Sequence, residues 1–126
     1  MAGPQLSVTT AAVGLEWVLE AHGCEPGSLT DLRKLEGLFR TLIRELSLHP
    51  LGKSTWHQFP RTGGATGFCL LSESHLACHT FPEYGSLCLN VFCCRKRPNI
   101  DFQRLLRDEF GAAHVQVRRV ERPYRP

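Results

Sequence analysis

The middle of the chain is a succession of short strand-like segments that leaves no room for a helix between them. Four such segments follow one another, at residues 54–59, 67–72, 75–80 and 86–94. The last segment alternates strictly between two sets of side chains, one of them starting at Leu87. Connections this short allow only antiparallel pairing, because a parallel pair needs a crossover of about a dozen residues or more. The pattern therefore predicts an antiparallel sheet.

A further strand and a long helix precede this region. Residues 14–21 alternate between apolar and polar side chains, which predicts a half-buried strand. Apolar residues then recur at intervals of three and four over residues 32–46, which predicts an amphipathic helix. Ser28 or Thr30 is expected to cap that helix at its N-terminus.

A second helix and a last strand follow the central region. The helix is predicted to open at Pro98 with Asn99 or Asp101 and to end at Gly111, and residues 115–120 are expected to form the strand. The element order β-α-β-β-β-β-α-β predicts an α+β fold, with one antiparallel sheet and two helices packed on one face. The other face needs a cover, and in so short a chain we expect a second copy to supply it.

Composition places the chain among single-domain globular proteins. It has 126 residues, of which 42% are hydrophobic and 21% charged, enough for one core. The formal net charge of +3 does not indicate a nucleic-acid partner, and no apolar run is long enough for a membrane span. Residues 1–13 are expected to be a frayed lead-in, and the basic residues at 95–97 and 118–125 a solvated surface.

Six cysteines are unusual at this length: Cys24, Cys69, Cys78, Cys88, Cys93 and Cys94. The N-terminus has no basic segment followed by an apolar one, so we expect reduced thiols and a cytoplasmic location. No pair has C-x-x-C spacing, and adjacent strand residues point to opposite faces, so we expect no metal site. Most of these thiols are predicted to be small core residues.

Residues 71–85 hold most of the reactive side chains. Ser74 close to His75 and His79 is typical of a nucleophile with a base, although the G-x-S-x-G turn of α/β-hydrolases is absent. The same residues also suit a polar turn followed by core histidines. Residue types by themselves leave both interpretations open.

This segment resembles the signature of the small bacterial and archaeal type of S-adenosylmethionine decarboxylase, a pyruvoyl-dependent enzyme that cleaves itself. The matching residues are Ser-Glu-Ser-His at 72–75, followed by His79, Thr80, Pro82, Glu83, Gly85 and Cys94. The resemblance continues upstream through residues 56–59 and 64–67, and more weakly to the strand at 14–24, so it covers most of the chain. It also implies a homodimer whose two sheets stack, with active sites near the interface.

The resemblance implies self-cleavage between Glu73 and Ser74. The products would be a β chain, residues 1–73, and an α chain, residues 74–126. The Ser74 hydroxyl would attack the Glu73 carbonyl, and elimination and hydrolysis would leave a pyruvoyl group at position 74 as the covalent cofactor. His79 matches the histidine that assists processing. Thr66 matches a position that is usually serine, whose hydroxyl helps the same step.

The resemblance also implies roles in turnover. The pyruvoyl carbonyl would form a Schiff base with the substrate amine and take up the electron pair released with carbon dioxide. Cys94 matches the proton donor to Cα, whereas Cys93 fits a core thiol. Glu83 matches the carboxylate that contacts the nucleoside, and Phe59 resembles the aromatic residue that stacks on adenine. The remaining aromatic and histidine side chains of these segments are expected to be structural: Trp56, His57, His75 and Phe81.

Three residues near this site depart from the family pattern: Asn90 where aspartate is common, Arg95 where glycine is usual, and Cys93. The implied reaction is decarboxylation of S-adenosylmethionine, which yields an aminopropyl donor for spermidine synthesis. The alternatives are a pyruvoyl-dependent decarboxylase of arginine or ornithine and an unprocessed, non-catalytic homologue. The nucleoside-contacting residues favour the first reading, and the retained catalytic residues argue against the last.

Overall fold

Six β-strands form one antiparallel sheet in the computed structural model, which describes residues 12–126. The strands are β1 (Val13–His22), β2 (Thr55–Gln58), β3 (Ala65–Leu70), β4 (Ser74–Phe81), β5 (Ser86–Cys93) and β6 (His114–Pro123). The helices are α1 (Leu32–Glu45) and α2 (Phe102–Phe110), and two 3-10 turns occupy Pro26–Thr30 and Pro82–Tyr84. Across the sheet the order is β2-β3-β4-β5-β1-β6. The predicted element order and fold class are confirmed, whereas the predicted lead-in at 1–13 lies outside the described residues except for its last two.

The core lies between the sheet and the two helices. Leu19 of β1 is fully buried. Phe39 of α1 packs on Trp56 of β2 with ring centroids 4.8 Å apart, and Phe102 of α2 packs on Trp17 of β1 at 5.8 Å. Side chains of this size each stabilise the fold by about 1.5–3 kcal/mol when they leave water. The packing role predicted for Trp56 is confirmed.

The N-cap of α1 differs from the prediction. Asp31 is the cap, because its carboxylate accepts hydrogen bonds from the backbone N–H groups of Arg33 at 3.0 Å and Lys34 at 3.3 Å. Ser28 and Thr30 belong instead to the 3-10 turn that precedes the helix. That turn is short and has no apolar pattern of its own. The sequence therefore did not reveal where the turn ends and where the helix begins.

The caps of α2 are among those that the sequence predicts, but the helix begins at Phe102 rather than at Pro98. Asp101 caps the helix by accepting from the Arg104 N–H at 3.0 Å. Gly111 ends it at φ 68°, a left-handed conformation that costs glycine less than any other residue. Between these caps, the buried side chains of α2 pack on the same core as those of α1.

The second face of the sheet carries neither α1 nor α2 and is called the open face here. By alternation it presents Thr66, Phe68 and Leu70 of β3, and Phe68 and Leu70 remain 44% and 57% exposed. Residues His75 and His79 of β4 lie on the same face. Exposed apolar side chains of this size are typical of a surface that another molecule covers.

Among residues 12–126, no helix is long and apolar enough to cross a membrane.

Candidate active site

The turn between β3 and β4 contains the Glu73–Ser74 peptide bond. The backbone N–H of Cys94, which follows β5, donates a 2.8 Å hydrogen bond to the Glu73 carbonyl oxygen. Ser74 opens β4 opposite Cys93, and its Oγ is buried with no hydrogen-bond partner within residues 12–126. A buried hydroxyl without a partner is costly and therefore rare, so it is typical of a reactive group. A hydrogen-bonded carbonyl thus lies next to a buried hydroxyl that has no partner in the described part of the chain.

The Glu73 carboxylate is held by three side chains. It accepts from Ser72 Oγ at 2.9 Å, contacts His49 Nδ1 at 2.8 Å and forms an ion pair with the Arg97 guanidinium. The hydrogen bonds from His49 and Ser72, with the charges of His49 and Arg97, lower the pKa of Glu73. Sequence reasoning missed His49 and Arg97, since neither is close to Glu73 along the chain. Arg97 also corrects a prediction, because its side chain is only 13% exposed rather than solvated.

Cys94 is half-buried directly beyond the end of β5, at the same turn. Its neighbour Cys93 is fully buried in the core, as predicted. The Tyr124 hydroxyl donates to the Cys94 carbonyl at 3.3 Å. Burial raises the pKa values of the Cys24 and Cys69 thiols, which keeps these core thiols protonated. The structure therefore brings the backbone of Cys94 to the Glu73 carbonyl, and the buried Cys93 lies directly opposite Ser74.

Thr66 and His79 form a pair at the opposite end of β4. They are register partners on β3 and β4, and Thr66 Oγ1 lies 3.2 Å from His79 Nδ1. Five residues separate His79 from Ser74, which is about 16 Å along a strand that rises about 3.3 Å per residue. An odd separation also places the two side chains on opposite faces. Within one chain, the structure does not bring the two predicted processing side chains to Ser74.

A cleft of about 610 Å³ opens at this same end of the molecule. Its lining residues are Phe59, Pro60, Arg61, Thr62, Thr80, Phe81 and Glu83. The ring of Phe59 is 45% exposed and Glu83 lies in the 3-10 turn that follows β4, so the two predicted substrate contacts share one cavity. Phe81, expected to be structural rather than a ligand contact, is 39% exposed and lines the cleft, because its side chain lies on the open face of β4. Sequence alternation along β4 is the signal that would have identified it.

A polar chain crosses the open face between the two ends. His75 Nε2 lies 3.1 Å from the Asn90 amide oxygen, and the Asn90 amide nitrogen donates to Glu16 at 2.7 Å. Arg122 pairs with the other oxygen of Glu16. The Asn90 hydrogen bond is the largest influence on the pKa of Glu16, which is lowered. An aspartate at position 90 could not donate to Glu16, so this departure from the family pattern has a local physical reason.

His75 is held in this chain by two aromatic rings. It stacks against Phe68 at 5.8 Å and against Phe92 at 5.7 Å, with interplanar angles of 23° and 22°. His57, on β2, contacts Phe59 edge-on at 4.9 Å. Both histidines thus order aromatic neighbours, in agreement with the structural role expected for them.

Comparison with known proteins gives a consistent family. The family model described as S-adenosylmethionine decarboxylase matches residues 15–123. A protein of Moorella thermoacetica named S-adenosylmethionine decarboxylase proenzyme is 35% identical over 112 residues, covering 88% of this chain and 88% of that protein. One of the same name from Picrophilus torridus is 34% identical over 90 residues, or 71% of this chain and 68% of that protein.

A solved structure shares the fold. The adenosylmethionine decarboxylase of Aquifex aeolicus VF5 superposes with a TM-score of 0.73 at 19% identity, covering 91% of this chain and 94% of that one. The match spans the sheet and both helices, so the two proteins have the same architecture.

Proposed function

The chain belongs to the S-adenosylmethionine decarboxylase family, and on that basis we propose that it removes carbon dioxide from S-adenosylmethionine with a pyruvoyl group made from its own Ser74. The product is an aminopropyl donor, which suits spermidine synthesis. The observation that carries the proposal is a buried Ser74 hydroxyl with no hydrogen-bond partner among the described residues, next to a Glu73 carbonyl that accepts from the Cys94 N–H.

Self-cleavage begins with attack of Ser74 Oγ on the carbonyl carbon of Glu73. As the carbon becomes tetrahedral, charge develops on the Glu73 oxygen, and the Cys94 N–H already points at that oxygen. The C–N bond then breaks, the hydroxyl proton passes to the nitrogen of residue 74, and an ester joins the two residues. Backbone geometry at the turn thus supports the first step without any movement of Cys94.

Elimination completes the cut. A base removes the Cα proton of residue 74, the Cβ–Oγ bond breaks, and Glu73 leaves as a carboxylate. Water then replaces the nitrogen of residue 74, which is released as ammonia, and a ketone remains. The Ser74 side chain is buried, which suits a pyruvoyl group at this position because bulk water is kept from the ester before elimination.

In turnover, the pyruvoyl ketone supplies an acceptor for the electron pair released when the substrate carboxylate leaves as carbon dioxide. Cys94 is the side chain that returns a proton to the substrate Cα. Its backbone N–H contacts the residue that precedes Ser74, and its side chain is only partly buried, which supports this role for its thiol. Cys93 lies directly opposite Ser74 but is fully buried, so we assign the proton transfer to the more accessible Cys94.

The cleft at Phe59 and Glu83 is the proposed nucleoside pocket. Its volume of about 610 Å³ lies within the range of small-molecule sites. The Glu83 carboxylate can accept hydrogen bonds from both ribose hydroxyls, and the exposed Phe59 ring offers a face on which adenine can stack. A cationic sulfonium centre also favours a nearby carboxylate.

The proposed site is divided between the two ends of β4, and a second copy of the chain can complete it. One end holds Ser74 and Cys94, and the other holds His79 and Glu83, about 16 Å or more away. A twofold axis that lies between two stacked open faces and crosses the middle of β4 would bring the Ser74 end of each protomer to the His79 end of its partner. The exposed Phe68 and Leu70 side chains of the open face support this homodimer.

Intact mass measurement of the purified protein tests the proposal. We expect two chains, 1–73 and 74–126, with the second carrying the mass of an N-terminal pyruvoyl group, and a single uncut chain for Ser74→Ala. Ser86→Ala, at the far end of the β4–β5 pair, serves as the control and should still be cut. A wild-type chain that stays uncut and releases no carbon dioxide from S-adenosylmethionine would contradict the proposal. Release from arginine or ornithine instead would change the substrate and keep the cofactor chemistry.

A further inference from the structure

We propose that Arg97 is a positioning residue for self-cleavage, because its guanidinium holds the Glu73 carboxylate and so fixes the peptide bond that Ser74 attacks. The inference rests on the proposed self-processing at Ser74 and adds a residue that the family resemblance does not assign.

The surroundings of Arg97 differ from those of a solvated arginine. Its side chain is 13% exposed, and its Nε is buried with no hydrogen-bond partner among the described residues. Removing a guanidinium from water costs free energy that a carboxylate partner offsets. Glu73 is that partner, so the pair places Arg97 on the cleavage turn. The adjacent Lys96 is exposed, as a surface cation would be.

Glu73 is held from both sides of the turn. His49, from the segment after α1, contacts its carboxylate at 2.8 Å, and Ser72 donates to it at 2.9 Å. Arg97 approaches from the segment that follows β5. Within residues 12–126, these three are the side chains that hydrogen-bond or pair with the carboxylate, and together they restrict rotation of the Glu73 side chain.

Arg97 and Cys94 belong to one short segment, and each holds a different part of Glu73. Cys94 donates its N–H to the carbonyl oxygen, and Arg97 binds the side-chain carboxylate. Two anchor points on one residue define the orientation of its peptide plane better than one. Attack by Ser74 Oγ needs that plane in a narrow range, since a displacement of about 1 Å can slow a reaction about a hundredfold.

The test follows the appearance of the 1–73 and 74–126 chains by mass spectrometry in freshly made full-length protein. Arg97→Met removes the charge and keeps much of the volume, and Lys96→Met is the matched control. We expect Arg97→Met to slow cleavage about tenfold or more, Lys96→Met to cleave at the wild-type rate, and Arg97→Lys to recover part of the loss. Should Arg97→Met fail to fold, Glu73→Gln weakens the same pair from the other side and should slow cleavage similarly.

The pH profile separates positioning from a merely structural role. The positive charge of Arg97 contributes to the lowered pKa of Glu73, so in Arg97→Met the carboxylate should protonate at higher pH. The acid limb of the cleavage rate should therefore move upward in pH in Arg97→Met and stay in place in Lys96→Met.

The outcomes distinguish this inference from the proposed function. Slow cleavage of Arg97→Met with a displaced acid limb and recovery in Arg97→Lys supports the inference. Wild-type rates in Arg97→Met overturn it alone, and so does slow cleavage with an unchanged acid limb and no recovery by lysine. A wild-type chain that never cuts overturns the proposed function and this inference together.

Discussion

The two ends of β4 satisfy their polar groups in different ways. At the Ser74 end, Glu73 is hydrogen-bonded through both its carbonyl and its carboxylate, and the buried Ser74 hydroxyl has no partner within residues 12–126. At the Phe81 end, side chains such as Phe59 remain exposed around an open cleft. The first environment suits chemistry on the chain itself, and the second suits a bound small molecule. Strand β4 thus separates the cleavage turn from the cleft, and the proposed reaction needs both at one active site.

The largest effect is expected at the Ser74 end. Cys94→Ala should still be cut between residues 73 and 74, because the backbone N–H that contacts Glu73 remains, but loss of the proton donor should lower turnover about a hundredfold or more. Carbon dioxide release and intact mass measure the two steps separately. Cys88→Ala, a half-buried thiol on the open face, is the control. Full turnover in Cys94→Ala would remove Cys94 from the mechanism.

Complementation tests whether the two ends meet across a dimer. Cys94→Ala and His79→Gln should each be inactive as homodimers, since each defect affects both sites. A mixed dimer keeps one intact site, so random co-expression should restore about a quarter of wild-type activity and cut the His79→Gln chain. Activity that stays at the level of the separate variants would mean that both ends serve the same protomer.

A smaller effect is expected at the cleft. Glu83→Gln keeps the shape of the side chain and removes its charge, so KM for S-adenosylmethionine should rise about tenfold while self-cleavage proceeds normally. Glu109→Gln, on the exposed side of α2, should leave KM unchanged. An unchanged KM in Glu83→Gln would place the nucleoside elsewhere.

The smallest expected effect is on the stability of the fold, through the polar chain of Glu16 and Asn90 that lies between the two ends of β4. The Asn90 hydrogen bond, together with Arg122, lowers the pKa of Glu16 in the folded state. The stabilisation that the Glu16 carboxylate contributes is therefore complete above the ordinary pKa of 4.5 and is lost as pH falls through the lowered value. Glu16→Gln should lower the melting temperature by a few degrees at neutral pH, and the difference should shrink at acid pH. Melting curves across pH measure this, with Glu121→Gln as control. A constant difference at all pH values would contradict it.

Local patterns predicted the elements well where one face of a strand or helix is buried. Alternation along residues 86–94 correctly separated buried Cys93 from half-buried Cys94. Helical spacing found α1, and Gly111 marked the end of α2. The predicted N-cap of α1 was wrong. Ser28, Thr30 and Asp31 are all good N-cap residues, and only the path of the 3-10 turn selects Asp31.

Contacts between distant segments could not be predicted in the same way. His49 and Arg97 are each 24 residues from Glu73, and no periodicity relates them to it. The polar chain through Asn90 and Glu16 joins residues 74 positions apart. Such contacts depend on which strands become neighbours, and short-range patterns carry no information about that choice.

The sequence by itself determined the number and kind of elements, their buried faces and the family to which the chain belongs, because these depend on side chains close together along the chain. Only the tertiary structure decided that Cys94 meets the Glu73–Ser74 bond while His79 lies at the other end of β4. The physical reason is the geometry of a strand: five residues of extended backbone cover about 16 Å and reverse the side-chain direction, so nearness in sequence within β4 is separation in space. The signature residues are close together along the chain, yet they lie at opposite ends of β4, and it is the proposed homodimer that would bring them into one site.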